Sequence, residues 1–89
     1  MTVQAGREEE FVEALGRARE ILAQSPGWRG LAVHRGIERP SSFLLLISWD
    51  TLEDHTVGFR GGDLFTQWRA VLGPFFDGTP LVEHWTPLP

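Results

Sequence analysis

"SFLLLISW", residues Ser42–Trp49, is the stretch that decides the predicted fold. Apolar side chains occupy both of its alternating faces, which is typical of a strand that is covered on two sides. Upstream, "WRGLAVHRGIE" (Trp28–Glu38) alternates as a second strand, and the turn "ERPSS" connects the two segments. The pattern therefore predicts an antiparallel hairpin.

A helix is predicted before this hairpin, over Arg7–Gln24 ("REEEFVEALGRAREILAQ"). Three glutamates lie in its first turn, where the helix dipole favours negative charge, and "SPG" at Ser25–Gly27 ends it. Its apolar residues recur at helical spacing: Phe11, Leu15, Ala18 and Leu22.

The segment after the hairpin, "DTLEDHTVGF" (Asp50–Phe59), predicts a short helix. Asp50 is the expected N-cap, with Glu53 three positions further on as in a capping box. Leu52, His55 and Phe59 then share one helical face, so His55 points in the same direction as its apolar neighbours.

A second helix and a last strand complete the predicted order. Asp63 is expected to cap "LFTQWRAVL", whose inward residues are Leu64, Phe65, Trp68, Val71 and Leu72, and Gly73–Pro74 closes this helix. "PLVEHW" alternates as a strand, and Thr2–Gln4 is a possible short first strand. The result is a β-α-β-β-α-β, ferredoxin-like α+β domain: an antiparallel sheet with helices on one face. Because the other face needs a cover, we expect a homodimer that packs sheet to sheet.

Length and composition limit the functional classes. The 89 residues form one predicted domain (1–89), with no cysteine for disulfides or thiolate metal sites. The net charge of −4 and the absence of any basic run argue against nucleic acid. The longest apolar run, Phe43–Ile47, is too short for a membrane span, and the acidic start does not resemble a signal peptide, so we expect a cytoplasmic protein. Four tryptophans and six phenylalanines predict an aromatic pocket or interface.

Three stretches carry a family resemblance: "WDTLEDHTVGFR", "FTQWRAVLGPFF" and "PLVEHW", with Pro26–Gly27 in support. They resemble the antibiotic biosynthesis monooxygenase family of dimeric α+β barrels. The matching positions are Trp49, Glu53, His55, Gly58, Phe59, Arg60, Phe65, Trp68, Arg69, Gly73, Pro74, Phe75, Phe76, Pro80, Val82, Glu83 and His84.

Two departures from the family pattern stand out. Family members open with a full strand, whereas only Thr2–Gln4 precede Ala5–Gly6 here, so we expect either a natural start several residues upstream or a sheet that is filled differently. Heme-degrading relatives depend on a first-strand asparagine, a tryptophan and a histidine. Phe59 and Arg69 stand at the last two of these positions, so the resemblance disfavours heme degradation.

The resemblance implies a monooxygenase that uses neither metal nor flavin, in which a deprotonated aromatic substrate reacts with oxygen. The expected partner is a small aromatic or hydrophobic molecule, of quinol or polyketide type. His55 is the candidate base and Arg69 the candidate donor to a developing oxyanion. Six aromatic residues are the candidate substrate-binding side chains: Trp49, Phe59, Trp68, Phe43, Phe65 and Phe76.

Structural roles remain alternatives for each of these residues. His55 is equally a core histidine with one ring nitrogen satisfied locally, and Arg60 and Arg69 are equally surface or dimer ion-pair residues. Phe75 and Phe76 are expected at the dimer seam. His34 and His84 are predicted on strands that can bring them together, but they lack a metal-ligand spacing. The alternative function is a non-catalytic dimer that binds a hydrophobic ligand or serves as a stress-type structural protein.

Overall fold

The computed structural model describes residues 1–89 and shows an α+β chain. Helix α1 (Glu8–Leu22) is followed by strand β1 (Trp28–Arg35) and strand β2 (Phe43–Trp49). A π-helix (Asp54–Phe59), helix α2 (Asp63–Leu72) and a 3-10 turn (Gly73–Phe75) come next. These elements confirm the α+β class and the two helices and hairpin predicted from the sequence.

Helix α1 supplies most of the core. Its buried residues follow the predicted spacing and add two that the pattern left out: Phe11, Ala14, Leu15, Ala18, Ile21 and Leu22. The helix begins at Glu8 without a side-chain cap, and its exit passes through Gly27, whose φ of 84° places it in the left-handed region. Neither α1 nor any other helix is long and apolar enough to cross a bilayer.

The hairpin turns one face to the helices and leaves the other uncovered. In its antiparallel register Leu31 pairs with Ile47 and Ala32 with Leu46. Leu31 and Phe43 are buried on the inner face, whereas Leu44 and Leu46 are 55% and 45% exposed on the outer one. Within one chain only the inner face of β2 is covered, because the molecule has a single layer of helices, and the expected cover of the outer face by a second copy stays a prediction.

The N-terminal residues lie beside β2, where the first strand was expected. Val3 is buried, and its N–H donates to the Ser41 carbonyl at 2.8 Å. The Gln4 N–H donates to the Phe75 carbonyl, also at 2.8 Å. Two isolated bridges result, Thr2 with Ser42 and Val3 with Phe76, in place of a full strand.

The chain beyond Asp77 forms no strand, so the prediction of a last strand over residues 80–85 is wrong for the single chain. Residues 78–89, here called the C-terminal arm, make no backbone hydrogen bond. Alternating side chains permit a strand, but a strand also requires a neighbouring edge, and none lies beside the arm. Four large apolar side chains of the arm are exposed: Leu81, Val82, Trp85 and Leu88.

Phe75 and Phe76 depart from their expected place at a dimer seam. Phe75 is 7% exposed and packs edge-on against Phe11, with ring centroids 5.9 Å apart. Phe76 lies 6.4 Å from the same ring and is partly buried. Both residues therefore belong to the core of a single chain.

Candidate functional site

The π-helix presents His55 to the rest of the molecule. Its wider turns place the rings of His55 and Phe59 nearly parallel, with centroids 6.2 Å apart and planes 25° apart. Such wide turns are rare and occur often at functional sites. Leu52, predicted on the same face, is 53% exposed and does not join them.

The start of this segment is capped one residue later than predicted. The Thr51 N–H donates to Asp54 Oδ2 at 3.1 Å, and the Asp54 N–H donates to Thr51 Oγ1 at 3.2 Å. Asp50, the predicted cap, forms an ion pair with Arg29 instead. The expected cap on α2 is also absent, because Gly62 occupies the N-cap position and Asp63 is the first helical residue.

Five predicted neighbours meet in what we call the aromatic cluster: Trp49, His55, Phe59, Phe65 and Trp68. Trp49 stacks on His55 at 5.5 Å, with 26° between the ring planes. Phe59 lies at the centre, 2% exposed, with Phe65 and Trp68 edge-on to it at 5.7 and 5.9 Å. Strand β2, the π-helix and α2 thus each contribute to one cluster around the histidine.

His84 completes the surroundings of His55, and the sequence did not predict it there. Its Nε2 lies 2.8 Å from His55 Nδ1, which is hydrogen-bond distance, and the ring centroids are 5.0 Å apart. The expected neighbour of His84 was His34, which is exposed on the outer face of β1. The two histidines are 29 positions apart, so no local spacing in the sequence predicts their contact. The resemblance of the "EHW" triplet to the family pattern was the one feature that drew attention to His84.

The surroundings of His55 favour its neutral form. Burial lowers the pKa of His55 below its usual value, and the nearby His84 and Arg60 lower it further. A neutral imidazole keeps a lone pair that can accept a proton from an acidic substrate. The side chain is therefore electrostatically suited to act as a base at neutral pH.

Two arginines border the cluster through Phe65. The guanidinium carbons of Arg60 and Arg69 lie 5.4 and 5.8 Å from the centre of that ring. Both side chains are exposed. Arg69, the predicted oxyanion donor, is thus near the cluster, but Arg60 is the arginine whose charge acts on His55.

Phe43 and Phe76 lie apart from these residues. Both pack on Phe11, at centroid distances of 4.9 and 6.4 Å, in the core between α1 and the hairpin. Their rings have no aromatic contact with the cluster around His55. The structure therefore brings together four of the six predicted substrate-binding residues.

Comparison with known proteins identifies the family. The family model for antibiotic biosynthesis monooxygenases matches residues 1–71. The chain belongs to the antibiotic biosynthesis monooxygenase family. This confirms the resemblance in the sequence, and the C-terminal arm with His84 lies beyond the matched residues.

Relatives of this family member support the assignment along most of its length. It is 38% identical over 82 residues to the uncharacterized protein YczJ of Bacillus subtilis, covering 92% of this chain and 86% of that one. A Bordetella bronchiseptica crystal structure, provisionally named an antibiotic biosynthesis monooxygenase, has 35% identity and a TM-score of 0.95, covering 99% of this chain and 90% of that one. A Nitrosomonas europaea protein with the same provisional name shares the fold, with 20% identity, a TM-score of 0.68 and coverage of 83% and 70%.

Two open grooves border this family member's core. One, of about 410 Å³, lies between α1 and the hairpin and includes Phe43. The other, of about 490 Å³, runs along α2 and includes Phe65 and Arg69. Neither is lined by His55, and no three histidine, aspartate or glutamate side chains come close enough to share a metal ion.

Proposed function

We propose that this family member is a cofactor-independent monooxygenase that acts on a small aromatic substrate of quinol or polyketide type. One observation carries the proposal: a partly buried histidine, with its pKa lowered, is stacked on Trp49 and Phe59. A neutral base against flat aromatic surfaces suits an acidic aromatic substrate. Membership of the family supports the reaction class.

The reaction begins with proton transfer to His55. For a phenolic substrate with an acidic CH₂ group, loss of one proton leaves a carbanion whose charge spreads into the ring. The carbanion reduces O₂ and forms a C–O bond, and cleavage of the O–O bond then releases water. The balance is R₂CH₂ + O₂ → R₂C=O + H₂O, with the substrate as the only reductant.

The remaining predicted residues act through stacking and charge. The partly exposed Trp49 and Phe65 would contact the substrate ring, with the buried Phe59 and Trp68 packed behind them. Arg69 on the rim of the cluster would stabilise the substrate's oxyanion. Phe65 and Arg69 also line the 490 Å³ groove, which does not include His55. Phe43 and Phe76 would not contact the substrate; they pack on Phe11 in the core between α1 and the hairpin.

We place the active molecule in a homodimer formed by the outer faces of the hairpins. Only 14 of the 89 residues are buried in a single chain, which is a small core for its length. The outer face nevertheless carries Ala32 paired with Leu46, and Leu44 paired with His34. A second copy would cover these side chains, as well as apolar residues of the arm such as Leu81 and Trp85.

The alternative is a non-catalytic dimer that binds a hydrophobic ligand or has a structural role. A specific observation favours it: His55 Nδ1 is already hydrogen-bonded to His84, and the two grooves do not reach His55. In this alternative the histidine is a satisfied structural group.

Oxygen uptake with a panel of anthrones, quinols and catechols separates the two functions. The monooxygenase proposal expects uptake with one substrate class and a loss of about 100-fold or more in His55→Gln, since general bases contribute about 10²- to 10⁴-fold. Val57→Ala is the matched control, because Val57 lies on the same π-helix and is 67% exposed. If no compound supports uptake, and a quinone quenches tryptophan fluorescence saturably, the chain is a binding protein.

A further inference from the structure

We propose that His84 is a positioning residue that holds His55 in the tautomer able to accept a proton through Nε2. The inference rests on the proposed role of His55 as a base. His84 lies outside the part of the chain that the family model matches, residues 1–71. Its Nε2 is 2.8 Å from His55 Nδ1.

A hydrogen bond between two neutral imidazoles requires one N–H donor and one lone pair. If His84 donated, His55 would accept at Nδ1 and carry its own proton on Nε2, leaving no lone pair for a substrate. If His55 donates from Nδ1, its Nε2 is unprotonated and available. Only the second arrangement is compatible with a base, so the proposed role of His55 requires its Nδ1–H to be the donor and His84 Nε2 the acceptor.

The same hydrogen bond strengthens when His55 takes up a proton. The imidazolium Nδ1–H then faces the lone pair of His84, and hydrogen bonds from a charged donor are stronger than neutral ones. The charges of Arg60, at the end of the π-helix, and of His84 itself oppose a positive charge on His55, so the stronger hydrogen bond requires a neutral His84 ring; Trp49 from β2 and Phe59 are uncharged. His84 thus takes the orienting place that a carboxylate has in a catalytic triad, without adding a negative charge.

This contact is the one hydrogen bond between the C-terminal arm and the rest of the molecule. Residues 78–89 make no backbone hydrogen bond, and their one side-chain hydrogen bond is the contact from His84 to His55. The position of the His84 ring therefore depends on the conformation of the C-terminal arm. Removing the His84 ring should free both the arm and the tautomer of His55.

Nitrogen-15 NMR of the imidazole groups, on the full chain without substrate, tests the tautomer directly. At a pH above the titration of both rings, the wild type should show His55 protonated on Nδ1. His84→Ala should move the proton towards Nε2, and His84→Gln should restore Nδ1–H because its amide oxygen accepts a hydrogen bond. Glu83→Gln is the control on the arm and should leave the tautomer unchanged. Nε2–H in the wild type, or no change in His84→Ala, overturns the proposal.

Kinetics distinguish this inference from the proposed function. With an active substrate, His84→Ala should lower kcat by about 10- to 100-fold, the range for losing one hydrogen bond to a charged group, with a smaller change in KM. His84→Gln should recover most of the loss. If the wild type consumes no oxygen while NMR shows Nδ1–H, the proposed function fails and only the tautomer assignment stands. If oxygen uptake is normal in His84→Ala, the positioning role is refuted while the proposed function survives.

Discussion

Gly27 lies against the carboxylate of Asp54, so close that a Cβ on Gly27 would overlap Asp54 Oδ2. The turn that leaves α1 is therefore fitted to the residue that begins the π-helix. Asp54 in turn accepts the Thr51 N–H at 3.1 Å and caps the segment that carries His55. A glycine well before His55 in the sequence thus packs against the residue that caps the histidine's helix.

Gly27→Ala should destabilise the protein by about 1–3 kcal/mol, the cost of a residue held in an unfavourable backbone region, and displacement of Asp54 adds to it. The measurement is the free energy of unfolding in urea. Gly16→Ala is the control, because Gly16 lies within α1 with no atom within 4 Å of the new Cβ. That variant should gain about 0.5–1 kcal/mol from helix propensity. Equal effects of the two substitutions would contradict the fit of Gly27 against Asp54.

Phe11→Ala should cost about 3–5 kcal/mol, the range for truncating a buried phenylalanine. Phe11 is 0% exposed, and Phe43, Phe75 and Phe76 pack around it. Since domains of this kind are stable by about 5–15 kcal/mol, the variant should be close to unfolding at 37 °C. The neighbouring Val12→Ala, at a side chain 45% exposed, should change the stability by less than about 0.5 kcal/mol. A thermal melt that is unchanged in Phe11→Ala would refute this account of the core.

Acid should weaken the fold through His55. Because its folded pKa lies below the usual value of 6.5, the unfolded chain binds more protons than the folded one between those two values. The free energy of unfolding should then fall as the pH decreases from 6.5 through that window, and be unaffected by His55 above it. Urea unfolding from pH 5 to 8 should show a weaker pH dependence in His55→Gln than in the wild type.

The Glu8 carboxyl provides an internal comparison for this titration. Its hydrogen bond from Ser41 lowers the pKa of Glu8 below 4.5, so its stabilisation is lost only as the pH falls below that value. The two groups act in different pH ranges. A parallel pH dependence in wild type and His55→Gln between pH 5 and 6.5 would show that His55 is not desolvated.

Leu46→Lys should prevent the proposed dimer. Leu46 is 45% exposed on the outer face of the hairpin, and burying an unpaired ammonium costs several kcal/mol, so the dissociation constant should rise by about 100-fold or more. Light scattering after size-exclusion chromatography gives the mass of the species. Val12→Lys introduces the same charge at an equally exposed position on α1 and should remain dimeric. A dimer that survives Leu46→Lys would place the interface elsewhere.

Periodicity predicted the local elements well, because each depends on residues that are close in the chain. The apolar spacing of α1 and the alternation in β1 specify which side chains face inward before any long-range contact forms, whereas β2 is apolar on both faces and leaves open which face turns inward. The family, too, was recognisable from the sequence. The predicted caps at Asp50 and Asp63 were wrong. Thr51 and Asp54 cap the first segment in place of Asp50, and Gly62 takes the N-cap position of α2 in place of Asp63.

By itself, the sequence determined the helices, the hairpin and the direction in which His55 points. Only the tertiary structure decided which side chains surround it. His84 reaches His55 across 29 positions through an arm without regular structure, and no periodic pattern predicts such a contact. The alternation in residues 80–85 could not show whether they form a strand, because a strand also needs the unpaired edge of another strand for its backbone hydrogen bonds.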